Sequence, residues 1–316
     1  MQLNQRATRL ATRMRSRAGE LRLEPHTIGG ARVLDLGVRA PGGIGAGVAM
    51  AEVCLAGFGE VSIAGGPAHV FDGPWVWVRT DHPVAACLAS QYAGWEVQEG
   101  DYFAMGSGPM RAAYGREELF DAIGLRESAE RAVGVLEADA LPTPAVCEMI
   151  AAKCSVKPEA LTLLAAPTTS LAGTVQIAAR SVETALHKLH EIGFDVSRIE
   201  SACGAAPLPP PAADAVAAIG RTNDAILYGG HATLFVRGDD DSLREVGARV
   251  PSSSSPDHGR PFAEVFAGYD HDFYKVDKLL FSPAMVTLAN LDTGRVHRFG
   301  AYAPRVIARS FGLDAD

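Results

Sequence analysis

The chain reads as an α/β protein made of two related α/β domains with a substrate cleft between them. Three observations predict this. Short β-branched or aliphatic runs, RVLDLGV (32–38), WVWVR (75–79) and LTLLAA (161–166), each lead through a glycine-rich or Thr/Ser/Pro turn into an apolar or helically spaced stretch. The same order of signals recurs in both halves: strand, turn, helix, a glycine followed by an aromatic (Gly94-Trp95, Gly193-Phe194), strand, and a small-residue turn ending in proline (106–109, 204–207). Finally, 316 residues of which 47% are hydrophobic can bury a sizeable core, and that length fits roughly two domains of about 150 residues. Two related halves would leave a cleft between them, a common position for a ligand.

The elements follow in order. Residues 2–24 have helical spacing and few breakers. The strand at 32–38 runs into the loop PGGIGAG (41–47) and the apolar run 48–55. After the strand at 75–79, Thr80-Asp81-His82-Pro83 is a turn with helix-start character, and 84–92 is a short apolar helix stopped by Gly94. A short strand at 95–98 and the stretch 102–105 lead into Gly106-Ser107-Gly108-Pro109. Leu141-Pro142-Thr143-Pro144 breaks a preceding helical stretch and divides domain 1–140 from domain 141–316, with the C-terminal segment able to return to the first domain. The strand 161–166 and the turn Pro167-Thr168-Thr169-Ser170 introduce a long helix from 171 to 192, ended by Gly193. A strand at 197–201 leads into a turn at 203–207 and a proline run to 211; further strands are expected at 225–228, 232–236, 285–288 and 298–301. Residues 250–260 (VPSSSSPDHGR) form an irregular loop.

Composition excludes several classes of function. A net charge of −8 offers no basic field for nucleic-acid phosphates. The basic cluster between Arg6 and Arg22 lacks the apolar centre of a secretory signal and reads as a surface helix. No run of 18 apolar residues exists, so no membrane partner is expected. The five cysteines (Cys54, Cys87, Cys147, Cys154, Cys203) are odd in number and form no CxxC, which suggests neither a disulfide framework nor a zinc site and points to a reducing, cytoplasmic location. The glycines at 42, 43, 45 and 47 fail the GxGxxG spacing, and no GxxxxGK[ST] occurs. That loop is a tight turn before a helix, although its amides could hold an anion. His187 and His190 fit no HExxH or HxxEH pattern, and Gly106-Ser107-Gly108 is not a GxSxG elbow. No metal site is therefore expected.

One stretch carries candidate chemistry. At about 100° per residue, Gln176, Arg180, Glu183, His187 and His190 share one side of the long helix, opposite Val175, Ala178, Val182, Ala185, Leu186 and Leu189. Arg180 and Glu183 are three residues apart, so their heads can meet. On spacing alone an ordinary solvated ion pair explains them. The alternative is a polar stripe facing a cleft, where the guanidinium orients the carboxylate and the carboxylate accepts a proton from water. Gly220-Arg221-Thr222-Asn223-Asp224 and the charged, aromatic segment 270–277 are also unusually polar, though Asx turns and a surface turn account for them without function.

Five segments together resemble the methenyltetrahydromethanopterin cyclohydrolase family: TDHPVAACLASQYAGW (80–95), YFAMGSGPMRA (102–112), APTTSLAGTVQIAARSVETALHKL (166–189), GRTNDAILYGG (220–230) and HDFYKVDKLLFSPA (271–284). The resemblance spans nearly the whole chain and keeps the motif order. It implies hydrolysis of a methenyl bridge on a tetrahydromethanopterin, with no metal or nucleotide cofactor, by a homo-oligomer, typically a trimer, of two-domain α/β subunits. It places the family's Arg-x-x-Glu on Arg180 and Glu183, with Glu183 activating water and Arg180 as its electrostatic partner. Phe281 falls on the phenylalanine of a Phe-x-Pro-Ala motif and would pack on the pterin. The remaining substrate contacts implied are Gln91, Tyr92, Ser107, Gly108, Pro109, Ser170, Gln176, Thr222, Asn223 and Asp224. One departure is His258-Gly259-Arg260-Pro261-Phe262, where the family pattern has Tyr-Gly-Lys-Pro-Phe. The alternatives are a non-catalytic pterin-binding carrier and a different pterin or folate one-carbon enzyme. The pathway, formaldehyde oxidation or methanogenic reduction, is open.

Overall fold

The computed structural model of the chain describes residues 1–272 and 275–313. Phe273 and Tyr274, within the polar segment singled out above, lie outside the described residues. In chain order come α1 (Leu3–Ser16), α2 (Ala18–Leu21), β1 (Glu24–Ile28), β2 (Ala31–Asp35), α3 (Ile44–Cys54), β3 (Gly59–Ala64) and β4 (Trp75–Thr80). A helical segment of π type (Val84–Gln91) precedes β5 (Trp95–Glu99), β6 (Tyr102–Ser107), α4 (Met110–Tyr114), α5 (Leu119–Ile123), β7 (Ala132–Glu137), α6 (Pro144–Lys153) and β8 (Leu161–Ala166). Then follow α7 (Leu171–Ala178), α8 (Ser181–Glu191), β9 (Ile199–Pro207), α9 (Ala215–Gly229), β10 (His231–Val236) and α10 (Asp240–Gly247). The last elements are α11 (Phe262–Gly268), β11 (Met285–Asn290), β12 (Val296–Gly300) and α12 (Pro304–Phe311).

These elements make two compact α/β units. The first holds Met1–Glu60 and Ala85–Gln176. Its six-stranded sheet runs β1-β2-β8-β7-β6-β5, with β2, β8 and β7 parallel and the outer pairs antiparallel. The central strands β7 and β8 are mostly apolar because both faces are covered. Leu161, Leu163 and Leu136 pack with α6 residues such as Ile150 and Cys147. Leu164, Val133 and Val135 pack on the other face with Ala7 and Ala11 of α1 and with Met50 and Val53 of α3.

The second unit holds Val61–Val84 and the chain from Ile177 onward. Its sheet runs β12-β11-β10-β9-β4-β3, with β10 and β11 parallel and the β9–β10, β4–β9 and β11–β12 pairs antiparallel. Trp75 of β4 and Ala205 of β9 join Ala225 and Tyr228 of α9, Phe262 and Phe266 of α11, and Ile307 and Phe311 of α12 in one core cluster. On the opposite face, the first turn of α8 sits on β9 at Gly204. A Cβ there would lie 2.5 Å from the His231 carbonyl oxygen and 2.8 Å from Ser181 Oγ. The units interleave along the chain, whereas the sequence suggested contiguous domains meeting at 140/141. Because β4 pairs with β9 and β8 pairs with β2 and β7, each of the two similar stretches (75–107 and 161–207) leaves one sheet and enters the other.

Several local expectations are corrected. The helix expected over 171–192 is two helices, α7 and α8, separated at Ala179–Arg180. Arg180 has φ −94° and ψ 8°, the sparsely populated bridge region, and its amide bonds back three residues to Ile177 (3.0 Å). No glycine or proline marks the break. Residues 225–228, read as a strand, belong to α9. Asp214 accepts the Ala217 amide at the helix start, and buried Ala218, Thr222, Ala225 and Gly229 recur at helical spacing. The run AILY is short enough to fit either structure, and the longer period decides it. The expected turn at 204–207 is strand, and Gly204 leaves room for α8, which presses on it. The stretch before 141, read as helical, contains β7, a buried central strand.

Candidate active site

In the second unit, Arg180 closes the break before α8 and Glu183 sits in that helix's first turn. Arg180 Nη1 lies 3.5 Å from Glu183 Oε2, and the two side chains are 7% and 4% exposed. The burial overturns the reading of an ordinary solvated pair. A buried ion pair is costly to desolvate and adds little net stability, so its presence asks for another reason. The helix N-terminus favours the carboxylate's charge, as does the guanidinium beside it. Further along the same helix, His187 Nε2 is 3.8 Å from Glu191 Oε1, and Glu191 also pairs with Lys278.

The other candidates of this unit lie on or against α9. Thr222 donates its hydroxyl to the Ala218 carbonyl (2.9 Å), and the Asn223 amide donates to the Ile219 carbonyl (2.9 Å). Asp224 is fully buried, and its Oδ1 accepts the Phe262 amide at the start of α11 (2.8 Å). Burial pushes its carboxyl up to about 7, against the lowering effect of the Ser310 hydroxyl and the Phe262 amide. Among the described residues Oδ2 has no hydrogen-bond partner in good geometry. Tyr228, one turn on, donates to the Arg260 carbonyl (2.6 Å) and accepts the Gly259 amide (3.0 Å). The ring of His258 lies 4.9 Å from that of Tyr228. The polar face of α9 thus holds the segment His258–Phe262 in place. Phe281 is half-buried and its ring lies 5.6 Å from that of Phe262, so Phe281, Phe262 and Asp224 form one contiguous group.

In the first unit the structure brings Gln91 and Ser107 together at Cys54, with Gly108 and Pro109 following Ser107 in the chain. Ser107 Oγ is 3.3 Å from Cys54 Sγ, and that thiol also points at the Gln91 carbonyl (3.8 Å). Ser90 donates to the Cys54 carbonyl (2.6 Å), and the Gly108 amide donates to the Ser90 carbonyl (2.8 Å). The Pro109 carbonyl accepts from Asn4 Nδ2 (2.9 Å). Gly108 has φ +88°, a conformation glycine adopts without strain. Tyr92 lies under the guanidinium of Arg111 (4.9 Å to the ring). Arg111 is fully buried, donates to the Leu88 carbonyl (2.9 Å), and forms a forked pair with Glu117 (2.9 and 2.5 Å). A widened helix leaves carbonyls poorly aligned, and Arg111 fastens one near its end. Ser170 caps α7, accepting the Gly173 amide (3.0 Å), and Gln176 is buried on the same helix.

Sequence reading missed two charged residues near these groups. Arg111 lies in YFAMGSGPMRA, but nothing local signals a buried arginine. Lys188 lies on α8 between Leu186 and Leu189 and is 1% exposed; a lysine among apolar helix positions was the available signal. The glycine loop is a turn before a helix, as expected: Asp35 accepts the amides of Gly37, Val38, Arg39 and Ala40 (2.7–3.1 Å), and α3 starts at Ile44. Burial raises the thiols of Cys147 and Cys154 to about 11 and about 12, which removes both as nucleophiles at neutral pH. Among the described residues no helix is long and apolar enough to cross a membrane.

A family model described as "Cyclohydrolase (MCH)" matches residues 2–311. A protein of Rhodopirellula baltica named methenyltetrahydromethanopterin cyclohydrolase is 51% identical over 298 residues, covering 93% of this chain and 90% of its own. One of the same name from Xanthobacter autotrophicus is 50% identical over 285 residues (89% and 84%). Another, from Methanospirillum hungatei, is 44% identical over 284 residues (90% and 90%). With the family model matching nearly end to end and these relatives covering most of both chains, this chain belongs to the methenyltetrahydromethanopterin cyclohydrolase family.

Proposed function

We propose that this enzyme hydrolyses 5,10-methenyl-tetrahydromethanopterin, reversibly, to the 5-formyl derivative, with Glu183 activating the water and Arg180 as its electrostatic partner. The observation that carries the assignment of residues is the buried Arg180–Glu183 pair at the start of α8, in a chain about half identical to named cyclohydrolases. The methenyl carbon lies between two nitrogens as an amidinium-like cation and is already electrophilic. It needs a positioned water, a base and a carboxylate that tolerates the cation. Water adds through oxygen to that carbon and gives its proton to Glu183. Glu183 then returns that proton to the nitrogen at position 10 as the bond from the carbon to that nitrogen breaks, and the adduct's hydroxyl gives up its proton to solvent to become the carbonyl oxygen of the formyl group left on the nitrogen at position 5. One proton is released overall. Arg180 keeps Glu183 ionised between turnovers. Phe281 packs on the pterin, and Gln91, Tyr92, Ser107, Gly108, Pro109, Ser170, Gln176, Thr222, Asn223 and Asp224 are the proposed substrate contacts.

The reaction needs no metal or nucleotide, so turnover survives exhaustive dialysis against a chelator; the working form is a cytoplasmic homotrimer, which sedimentation equilibrium checks. The direct test follows decay of the methenyl chromophore. Glu183→Gln should lower turnover about 10²–10⁴-fold, the range of general-base catalysis. Because that variant removes the carboxylate charge paired with the buried Arg180, thermal unfolding is recorded alongside. Near-normal turnover in a folded Glu183→Gln protein would sink the assignment. Binding of the substrate by the unaltered protein without chromophore decay would make it a carrier instead.

A further inference from the structure

Among the described residues, Lys188 is a buried ammonium on the helix of the proposed site that the mechanism leaves unused. It lies on α8, five residues beyond Glu183, and is 1% exposed. Its Nζ donates to the Leu279 carbonyl and to Ser254 Oγ (3.0 Å). Ser254 in turn donates to the Arg249 carbonyl (2.9 Å). Leu279 lies in the turn Lys278–Leu280, which ends where Phe281 begins. Asp277 caps that turn, accepting the Leu279 amide (3.0 Å) on one oxygen and the Ser255 hydroxyl (2.6 Å) on the other. One ammonium therefore joins three pieces of chain: α8, the 252–254 turn and the turn carrying Phe281.

We infer that Lys188 is a positioning residue, which clamps the Phe281 turn onto the helix bearing Glu183 and so sets how tightly the pterin is held. The inference rests on the reading of Phe281 as a pterin contact. A burial this complete is expensive for an ammonium, and a neutral side chain would fill the same space. Charge-assisted hydrogen bonds are roughly twice as strong as neutral ones, and that strength is what the clamp gains. Burial pushes the amine down to about 8; Asp277 on the facing turn opposes this and Arg249 adds to it. Other titratable groups on these elements include Lys278 and Glu191, which pair with each other, His187 and His190, which both act on Glu191, and Glu183 on the same helix. As pH rises through about 8 the amine loses its charge and the clamp weakens, so KM should climb there.

The test measures KM and kcat from pH 7 to 9.5 for the unaltered enzyme, Lys188→Met, Phe281→Ala and the double variant. Loss of a hydrogen bond to a charged group predicts a KM increase of about tenfold or more in Lys188→Met, with kcat little changed and the alkaline rise in KM absent. The double variant should bind no worse than Phe281→Ala alone, since both act through one ring. If Phe281→Ala raises KM and Lys188→Met does not, the clamp is refuted while the pterin contact stands. An unchanged KM in Phe281→Ala overturns the contact and the clamp with it. Should Lys188→Met not fold, Ser254→Ala removes the ammonium's other partner. It should raise KM in the same direction by a smaller factor, and an unchanged KM overturns the inference.

Discussion

Two buried acids of the second unit, Glu183 and Asp224, have different surroundings. Glu183 has a guanidinium 3.5 Å away and a helix N-terminus beneath it, and both favour the charged form. Asp224 forms no ion pair among the described residues, and burial drives its carboxyl up to about 7. The folded chain therefore binds a proton at Asp224 that the unfolded chain has released above about pH 4. Its contribution to stability falls as pH rises from about 4 to about 7 and is a constant cost above that. Asp224→Asn keeps an acceptor for the Phe262 amide and removes the charge. Relative to the unaltered protein, this variant should gain stability between pH 5 and pH 8 in urea unfolding. A deficit that grows over that interval would contradict the assignment. The sequence placed Asp224 in a polar cluster; its role as the acceptor for the start of α11 depends on a residue 38 positions away.

At the level of elements, the start of α8 depends on what lies under it. Ser181 and Val182 press on Gly204 of β9, where an added Cβ would sit 2.5 Å from a backbone carbonyl and 2.8 Å from Ser181 Oγ. Gly204→Ala forces the strand and helix apart. Overpacking of this kind costs about 1–3 kcal/mol, and the displaced segment carries Arg180 and Glu183. The expected result is a lower denaturation midpoint together with a fall in kcat. A variant that loses stability and keeps full kcat would separate the site from this contact. The periodic stripe on 171–192 was legible in the sequence, and Glu183 keeps its place on it. The break at Ala179–Arg180 was not, since no helix-breaking residue is present and the restart is tied to a strand twenty residues further on.

At the level of the whole molecule, the strands do not stay with their neighbours in sequence. β3 and β4 complete the sheet built on β9 and β10, and β8 lies at the centre of the other sheet. A fragment of residues 141–316 would keep β8 without its partners and expose the edge of β9 left by β4. Such a fragment should show no cooperative unfolding by circular dichroism. A folded, cooperative fragment would restore the contiguous division at 140/141. Both similar stretches, 75–107 and 161–207, were recognisable as strand–turn–helix–strand. Their partners were not, because pairing joins residues more than a hundred apart, such as Trp75 and Pro207.

The sequence by itself determined the α/β class, most strands with strong β-branched or aliphatic runs, the spacing that lets Arg180 meet Glu183, and the resemblance that gave that pair a role. These are local patterns, or motifs carried in order along one chain. Only the tertiary structure decided that the pair is buried, that AILY is helical, that AVGVLE is a central strand, and that Lys188 reaches across to the turn before Phe281. Each of those depends on what covers a residue from elsewhere in the chain, and periodicity carries no information about that.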